Sequence, residues 1–386
     1  MPTQEAVRSE VLARIDGIAE ALADEVGAAE SAGRLPDSTV ELLRSARLLW
    51  LKVPAELGGF EAEPALQIEV FERLALANPS AAWCTFIYAD TAGMATSRLG
   101  DEGLARYLDG GDVAPTAGGG GLRPGKLRRV DGGYRLTGRF RYGSGITGAT
   151  WVHLAGVLAE EDGGRMTMRQ CLVRKDDLRL DDNWDVLGMR GTGSIDFAAD
   201  DVFVPAELTY EAQCAPLRGG RQYRTGVAGY LGYTIPAVAA GAARRALDEV
   251  VAGAAGSVRG YRSPKPLADN PAFHRFVGEA DQKLKAAKAL MMANGERLME
   301  AVDRQGGTTD AQEVEVRAAA ALATNLALEV ITGLVPLAGG SGMRTGSLVE
   351  QALRDIAVMT THYVVAGSAI EHYGRALLGL PADPLG

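Results

Sequence analysis

The stretch DNWDVLGMRGTGSIDFAADDVFVP, Asp182 to Pro205, joins a glycine-rich turn to a run with the character of a strand. Gly188, Gly191 and Gly193 let a backbone take positive φ and come close to a flat or charged ligand. Trp184 offers an aromatic face, Arg190 a fixed charge, and Thr192 and Ser194 hydroxyls that donate or accept. From Ser194 to Val204, β-branched and aromatic residues lead to a proline, as at the end of a strand. A glycine-rich β-turn beside a core tryptophan would have the same composition, so the residues around it must decide what the stretch is for.

Upstream, from Val113 onward, glycines alternate with β-branched and aromatic residues and helical periodicity is lost. Asp131-Gly132-Gly133 between KLRRV and YRLTGRF marks a hairpin, and Glu161-Asp162-Gly163-Gly164 marks a second. An antiparallel β domain over 113–222 is expected. The residues before it are helical in pattern. Apolar positions over 4–31 recur at three and four, Ser38-x-x-Glu41 fits a capping box for a second helix, and Pro64 and Pro79 suit the first turns of two more. After it, four Ala- and Leu-rich segments, 226–254, 271–304, 309–335 and 347–379, predict an antiparallel bundle. The expected fold class is α+β, with a helical domain over 1–112, the β domain, and a four-helix bundle over 223–386.

Composition narrows the function. The 386 residues carry a net charge of −9 with no run of five basic residues, which argues against nucleic-acid and anionic-membrane partners. Cys84, Cys171 and Cys214 are odd in number and far apart, so neither a disulfide framework nor a zinc site is expected. No apolar run reads as long enough to span a bilayer and the acidic N-terminal segment is unlike a signal peptide, so a cytoplasmic protein is expected. No His, Cys and carboxylate cluster has metal-ligand spacing, and no metal is expected. Gly143-Ser144-Gly145-Ile146-Thr147-Gly148 formally matches the dinucleotide fingerprint G-x-G-x-x-G. The residues after it run into a strand-like stretch instead of opening a helix, which rules out a Rossmann turn.

Several of these segments resemble one family. The Asp182–Pro205 stretch is similar to the G-x-R-G-T-G-S segment of the acyl-CoA dehydrogenase fold, nearest its branch of reduced-flavin-dependent two-component monooxygenases. VPAELGGFEAEP at 53–64 and LALANPSAAW at 74–83 look like that fold's N-terminal signatures. Gly132-Gly133-Tyr134 followed by Gly138-Arg139-Phe140-Arg141-Tyr142-Gly143-Ser144-Gly145 looks like the branch's G-G-Y-x-x-x-G-x-(W/F)-x-(F/Y)-x-S-G pattern. Arg354-Asp355 followed by His362 matches the run that carries the branch's catalytic histidine.

The resemblance implies Ser144 beside flavin N5 and His362 over the flavin as the catalytic pair, with Arg354, Val358 and His362 on one face of the last helix. It implies a flavin site formed by Trp184, Thr116, Tyr142, Gly143, Ser144, Arg190, Thr192 and Ser194, with Arg259 and Gly340 reaching a neighbouring subunit's cofactor. Tyr363 is followed by Val364 and Val365, where the dehydrogenases carry Tyr-Glu-Gly, so the base for α-proton abstraction is missing. Many hydroxylases place a further histidine near Tyr88-Ala89-Asp90, and none stands here; Tyr88, Asp90 and Met359 are the expected substrate-lining residues. The implied enzyme takes FADH2 or FMNH2 from a separate NAD(P)H:flavin reductase and forms a C4a-hydroperoxide with O2. It then hydroxylates an electron-rich aromatic or amine, as a homotetramer. A flavin dehydrogenase, an N-oxygenase of an amino sugar or amine, and a non-catalytic scaffold are the alternatives.

Overall fold

The computed structural model describes residues 3–119, 123–159, 166–260 and 264–385, without the side chains of Ala159 and Arg259. The hairpin expected at Glu161–Gly164 lies outside the described residues. Two compact units divide the chain and neither is contiguous. The first is Met1–Ala62, Trp83–Val186 and Arg190–Arg224; the second is Glu63–Ala82, Leu187–Met189 and Thr225–Gly386.

The N-terminal residues fold as α1 (Gln4–Asp16), α2 (Ala19–Asp24), α3 (Val26–Ala32) and α4 (Asp37–Ser45). One helix over 4–31 was expected. Gly17 ends α1 as its C-cap, and Glu25 is the shared cap between α2 and α3. The capping box expected at Ser38 does not form. Pro36 holds the N-cap position, so Ser38 is already inside the helix. Next come α5 (Pro64–Ala77), α6 (Pro79–Arg98) and α7 (Asp101–Tyr107), with α5 and α6 starting at the prolines.

The first unit also holds the sheet: β1 (Thr116–Gly119), β2 (Gly125–Val130), β3 (Gly133–Gly143), β4 (Trp151–Ala159), β5 (Met166–Arg174), β6 (Arg179–Asp181), β7 (Ile195–Pro205) and β8 (Thr209–Glu211). Among the described residues these make one eight-stranded sheet in the order β6-β7-β3-β2-β4-β5-β8, with β1 also on β4. The Asp131-Gly132 turn forms as expected, with Val130 opposite Gly133 and Gly132 at φ 73°. The sheet is mixed, not wholly antiparallel, because β1 and β2 both run parallel to β4. The long β3–β7 ladder carries the stacked Phe140 and Phe197 rings, 5.3 Å apart, into the core.

The second unit contains α5 with α8 (Val227–Leu231), α9 (Thr234–Gly253), α10 (Pro271–Gln305), α11 (Asp310–Ala338), α12 (Leu348–Met359) and α13 (Ser368–Leu377). Alanine and glycine let these helices approach closely: a Cβ on Gly241 of α9 would lie 2.4 Å from the Glu72 carbonyl oxygen on α5. A full capping box starts α11 at Thr309 and Gln312. Contrary to expectation, α11 is long and apolar enough to cross a membrane; over half of that window is buried and α11 packs on α9, α10, α12 and α13, the condition of a core helix. The last expected helix, 347–379, is two. Thr360 Oγ1 and Thr361 Oγ1 donate to the Ala357 and Val358 carbonyls, capping off α12, and α13 starts only after Gly367.

Candidate functional site

In the first unit the end of β3 turns through Gly143-Ser144-Gly145, and α6 clasps the turn. The Trp83 indole donates to Ser144 Oγ at 3.1 Å, and the Tyr88 hydroxyl donates to the Gly145 carbonyl at 2.7 Å. Gly145 has φ 70°, and a Cβ there would lie 2.5 Å from the Tyr88 oxygen, so glycine is required twice over. From the other side the Asp182–Pro205 stretch closes in. Thr192 O accepts from Gly145 N–H at 2.8 Å, Ser144 Oγ and Ser194 Oγ lie 2.7 Å apart, and so do Ser194 Oγ and Thr192 Oγ1.

These three hydroxyls form a ladder with a choice of direction. A hydroxyl has one donor and two acceptor positions. Ser144 spends one acceptor on Trp83, which can only donate. If Ser194 donates to Ser144, the Ser144 proton is left over; if Ser144 donates to Ser194, a lone pair is left over. Either way the ladder leaves one hydrogen-bonding position at Ser144 Oγ. Beside it the Tyr142 ring is 59% exposed, and its centroid is 5.9 Å from that of the half-buried Trp184. A spare hydroxyl position two residues along the chain from an exposed tyrosine suits a planar ring with a polar nitrogen edge. Arg190 is half-buried with a long contact to the Val186 carbonyl.

Other expected site residues are engaged elsewhere. Thr116 is fully buried, its hydroxyl donating to the Ala114 carbonyl at 2.9 Å and lying 2.8 Å from the Tyr107 oxygen. Gly143 is buried, and a Cβ there would press on Phe197 and Ile146. Thr192 and Ser194 are buried behind Ser144. The expected substrate-lining residues are all buried. Tyr88 is the brace just described, Met359 is 1% exposed, and Asp90 is buried in an ion pair with the fully buried Lys52, Nζ to Oδ1 2.8 Å. Burial pushes the Lys52 pKa down and the Asp90 pKa up, and the partner's charge opposes both shifts.

In the second unit, α12 grips the glycine turn at 187–189. Arg354 Nη1 donates to the Leu187 carbonyl at 2.8 Å, and the Asp355 carboxylate accepts the Met189 N–H. A Cβ on Gly188 would meet Arg354 backbone atoms at 2.3 Å. His362 follows in the turn after α12, three residues past its last helical position, and not on its face. Val364 N–H donates to His362 Nδ1 at 3.3 Å, and the ring is 4.7 Å from that of Tyr363. His362 is half-buried, and burial lowers its pKa to about 4, with the Arg317 guanidinium pushing the same way. Gly340 opens an exposed turn with space around it, and the Arg259 side chain is not among those described.

Sequence reasoning passed over three residues that organise these sites. Trp83 ends the quoted PSAAW segment, yet nothing local says that its indole meets Ser144, 61 positions on. Lys52 had a signal in retrospect, a cation inside the apolar run LLWLKVP. Arg317, buried in α11, had none.

The family description "Acyl-CoA dehydrogenase, C-terminal domain" matches residues 233–366. A pigment production hydroxylase of Rhodococcus sp. (strain ATCC 21145) is 30% identical over 396 aligned residues, covering 98% of this chain and 99% of that protein. The oxygenase component of FADH2-dependent resorcinol hydroxylase from Rhizobium sp. (strain MTP-10005) is 26% identical, covering 98% and 96%. Among solved structures, XiaF from Streptomyces sp. in complex with FADH2 and glycerol has the same fold, with TM-score 0.91 at 24% identity over 99% of this chain and 98% of that one. The chain belongs to the flavin-dependent monooxygenases built on the acyl-CoA dehydrogenase fold.

Proposed function

We propose that the chain is the oxygenase component of a two-component system that hydroxylates an electron-rich small molecule, an aromatic ring or an amine. It would take FADH2 or FMNH2 from a separate NAD(P)H:flavin reductase in the cytoplasm and work as a homotetramer. Two relatives support this by their names, a pigment hydroxylase and a resorcinol hydroxylase oxygenase component. The observation that carries it is the hydrogen-bonding position left over at Ser144 Oγ by the Trp83–Ser144–Ser194–Thr192 network.

Reduced flavin, when bound, supplies the two electrons that divide O2 between the hydroxylated product and water. Ser144 would hold its N5 edge, taking or giving one hydrogen bond according to the direction of the ladder. Tyr142 and Trp184 would border the ring, with Arg190 as the nearby fixed charge. Thr192, Ser194 and Gly143 shape that edge from behind, and Arg259 and Gly340 would serve a neighbouring subunit's cofactor. His362, neutral at pH 7 by its lowered pKa, would act on the substrate or oxygen through a hydrogen bond.

The test is anaerobic titration with FADH2 and FMNH2, then admission of O2 with a panel of indoles, phenols and amines. Wild type should bind reduced flavin and form hydroxylated product. Ser144→Ala should still bind it, but divert most O2 consumption to hydrogen peroxide. Absence of binding by either reduced flavin overturns the assignment, and an unchanged product-to-peroxide ratio in Ser144→Ala removes Ser144 from it.

A further inference from the structure

Arg317 lies in the second turn of α11, 2% exposed, and its guanidinium donates to backbone and hydroxyl acceptors from the segments that follow α12. Nη2 and Nε both donate to the Tyr363 carbonyl, at 2.6 and 3.2 Å. Nη2 also donates to Ser368 Oγ at 3.3 Å, at the start of α13, and Nη1 to the Pro384 carbonyl at 3.2 Å, in the C-terminal tail. A guanidinium is a rigid planar fork, so bonds in several directions fix its neighbours relative to one another. Here they fix the His362–Val365 turn, the first residue of α13 and the tail as one assembly.

Within that turn His362 has little choice of protonation. Its Nδ1 accepts from Val364 N–H, so the neutral ring carries its proton on Nε2. A second proton would have to enter a half-buried site beside the Arg317 cation, which both burial and charge oppose. The titratable and charged groups at this cluster are Arg317 from α11, Tyr363 from the turn itself, and Asp383 from the tail, whose N–H is held by His372 of α13.

We propose that Arg317 is a positioning residue: by gripping the turn that carries His362, it presents that imidazole as an Nε2–H hydrogen-bond donor and not as a proton acceptor. The inference rests on the proposed use of His362, and it selects between the two roles that an imidazole could take there. A donor at that place steadies developing negative charge on oxygen, whereas a base would remove a proton from the substrate.

The experiment labels the histidines with ¹⁵N in the full-length chain without flavin and follows each ring by NMR, using His362→Gln for assignment. In wild type the His362 signals should report the Nε2–H form and stay neutral well below pH 6. Arg317→Met should raise its titration toward the ordinary histidine range and give a mixture of tautomers. Arg317→Lys keeps the charge without the fork; its His362 titration should stay low while the tautomers mix and product per O2 falls several-fold. If Arg317→Met fails to fold, Arg317→Lys decides the matter alone. A wild-type ring found as the Nδ1–H form, or a folded Arg317→Lys with wild-type tautomer and wild-type coupling, overturns the proposal. These spectra need no flavin, so failure to bind reduced flavin would sink the functional assignment and leave this result standing on its own.

Discussion

Removing one half of the Lys52–Asp90 pair should cost far more than removing both. The two side chains are 0% and 3% exposed and 2.8 Å apart. At that separation their attraction is about 6 kcal/mol with an effective dielectric near 20, and desolvating each ion costs several kcal/mol, so the pair is close to neutral in net effect. Lys52→Met leaves a buried carboxylate without its cation and should destabilise by about 3–5 kcal/mol. For a chain of 386 residues unfolding as one, with about 2.1 cal/mol/K per residue, 4 kcal/mol lowers the melting temperature by roughly 5 °C. Asp90→Leu should cost a similar amount. The double variant should return to within about 1 kcal/mol of wild type, a coupling of about 5 kcal/mol or more in urea melts. If the pair serves only to hold the fold, the double variant also keeps hydroxylation. Additive single effects would refute the energetic argument. A folded double variant that binds reduced flavin and forms no product would return Asp90 to the substrate.

His153 is buried with Nε2 2.6 Å from the Tyr210 hydroxyl, and burial, aided by Arg98, lowers its pKa to about 4. The folded ring therefore binds fewer protons than the unfolded one, near 6.5. Its contribution is complete above pH 6.5 and is lost as pH falls toward 4, about 2–3 kcal/mol between pH 8 and 4.5. His153→Gln should flatten that slope in urea melts across this window, and an unchanged slope would show that the ring is not held neutral. Gly188→Ala places a methyl 2.3 Å from the Arg354 backbone, so the 187–189 turn must move. It should lower stability by about 2–4 kcal/mol, read as a fall in melting temperature, and a variant as stable as wild type would mean the turn has slack.

The parts of the fold that local pattern could reveal were those with local causes. Prolines at 64 and 79 set helix starts, Asp131-Gly132 set a hairpin, and the run after Ser194 set β7. What pattern could not show were decisions made across distance or by competition. Helical periodicity continues past Met359, but the Thr360 and Thr361 hydroxyls take up backbone carbonyls and end α12 before His362. Alternation identifies strands without saying which neighbour runs parallel, so β1 and β2 on β4 were missed. At the site, the glycine and hydroxyl positions of the Asp182–Pro205 stretch were visible, yet their partners were not. Thr116 looked available but is tied to Tyr107 and Ala114, and Asp90 looked like a substitute for a missing histidine but is held by Lys52.

The grouping of α5 with helices from the far end of the chain has a consequence for synthesis. Its apolar face, including Ile68, Phe71 and Leu74, is completed by α9 and α10 within the second unit. On a ribosome adding about 5–20 residues each second, α5 emerges on the order of ten to thirty seconds before the end of α9 does. For that interval the face of α5 that packs on α9 and α10 is without those partners. It is the natural place for a chaperone to hold this protein, and for aggregation to begin when none does.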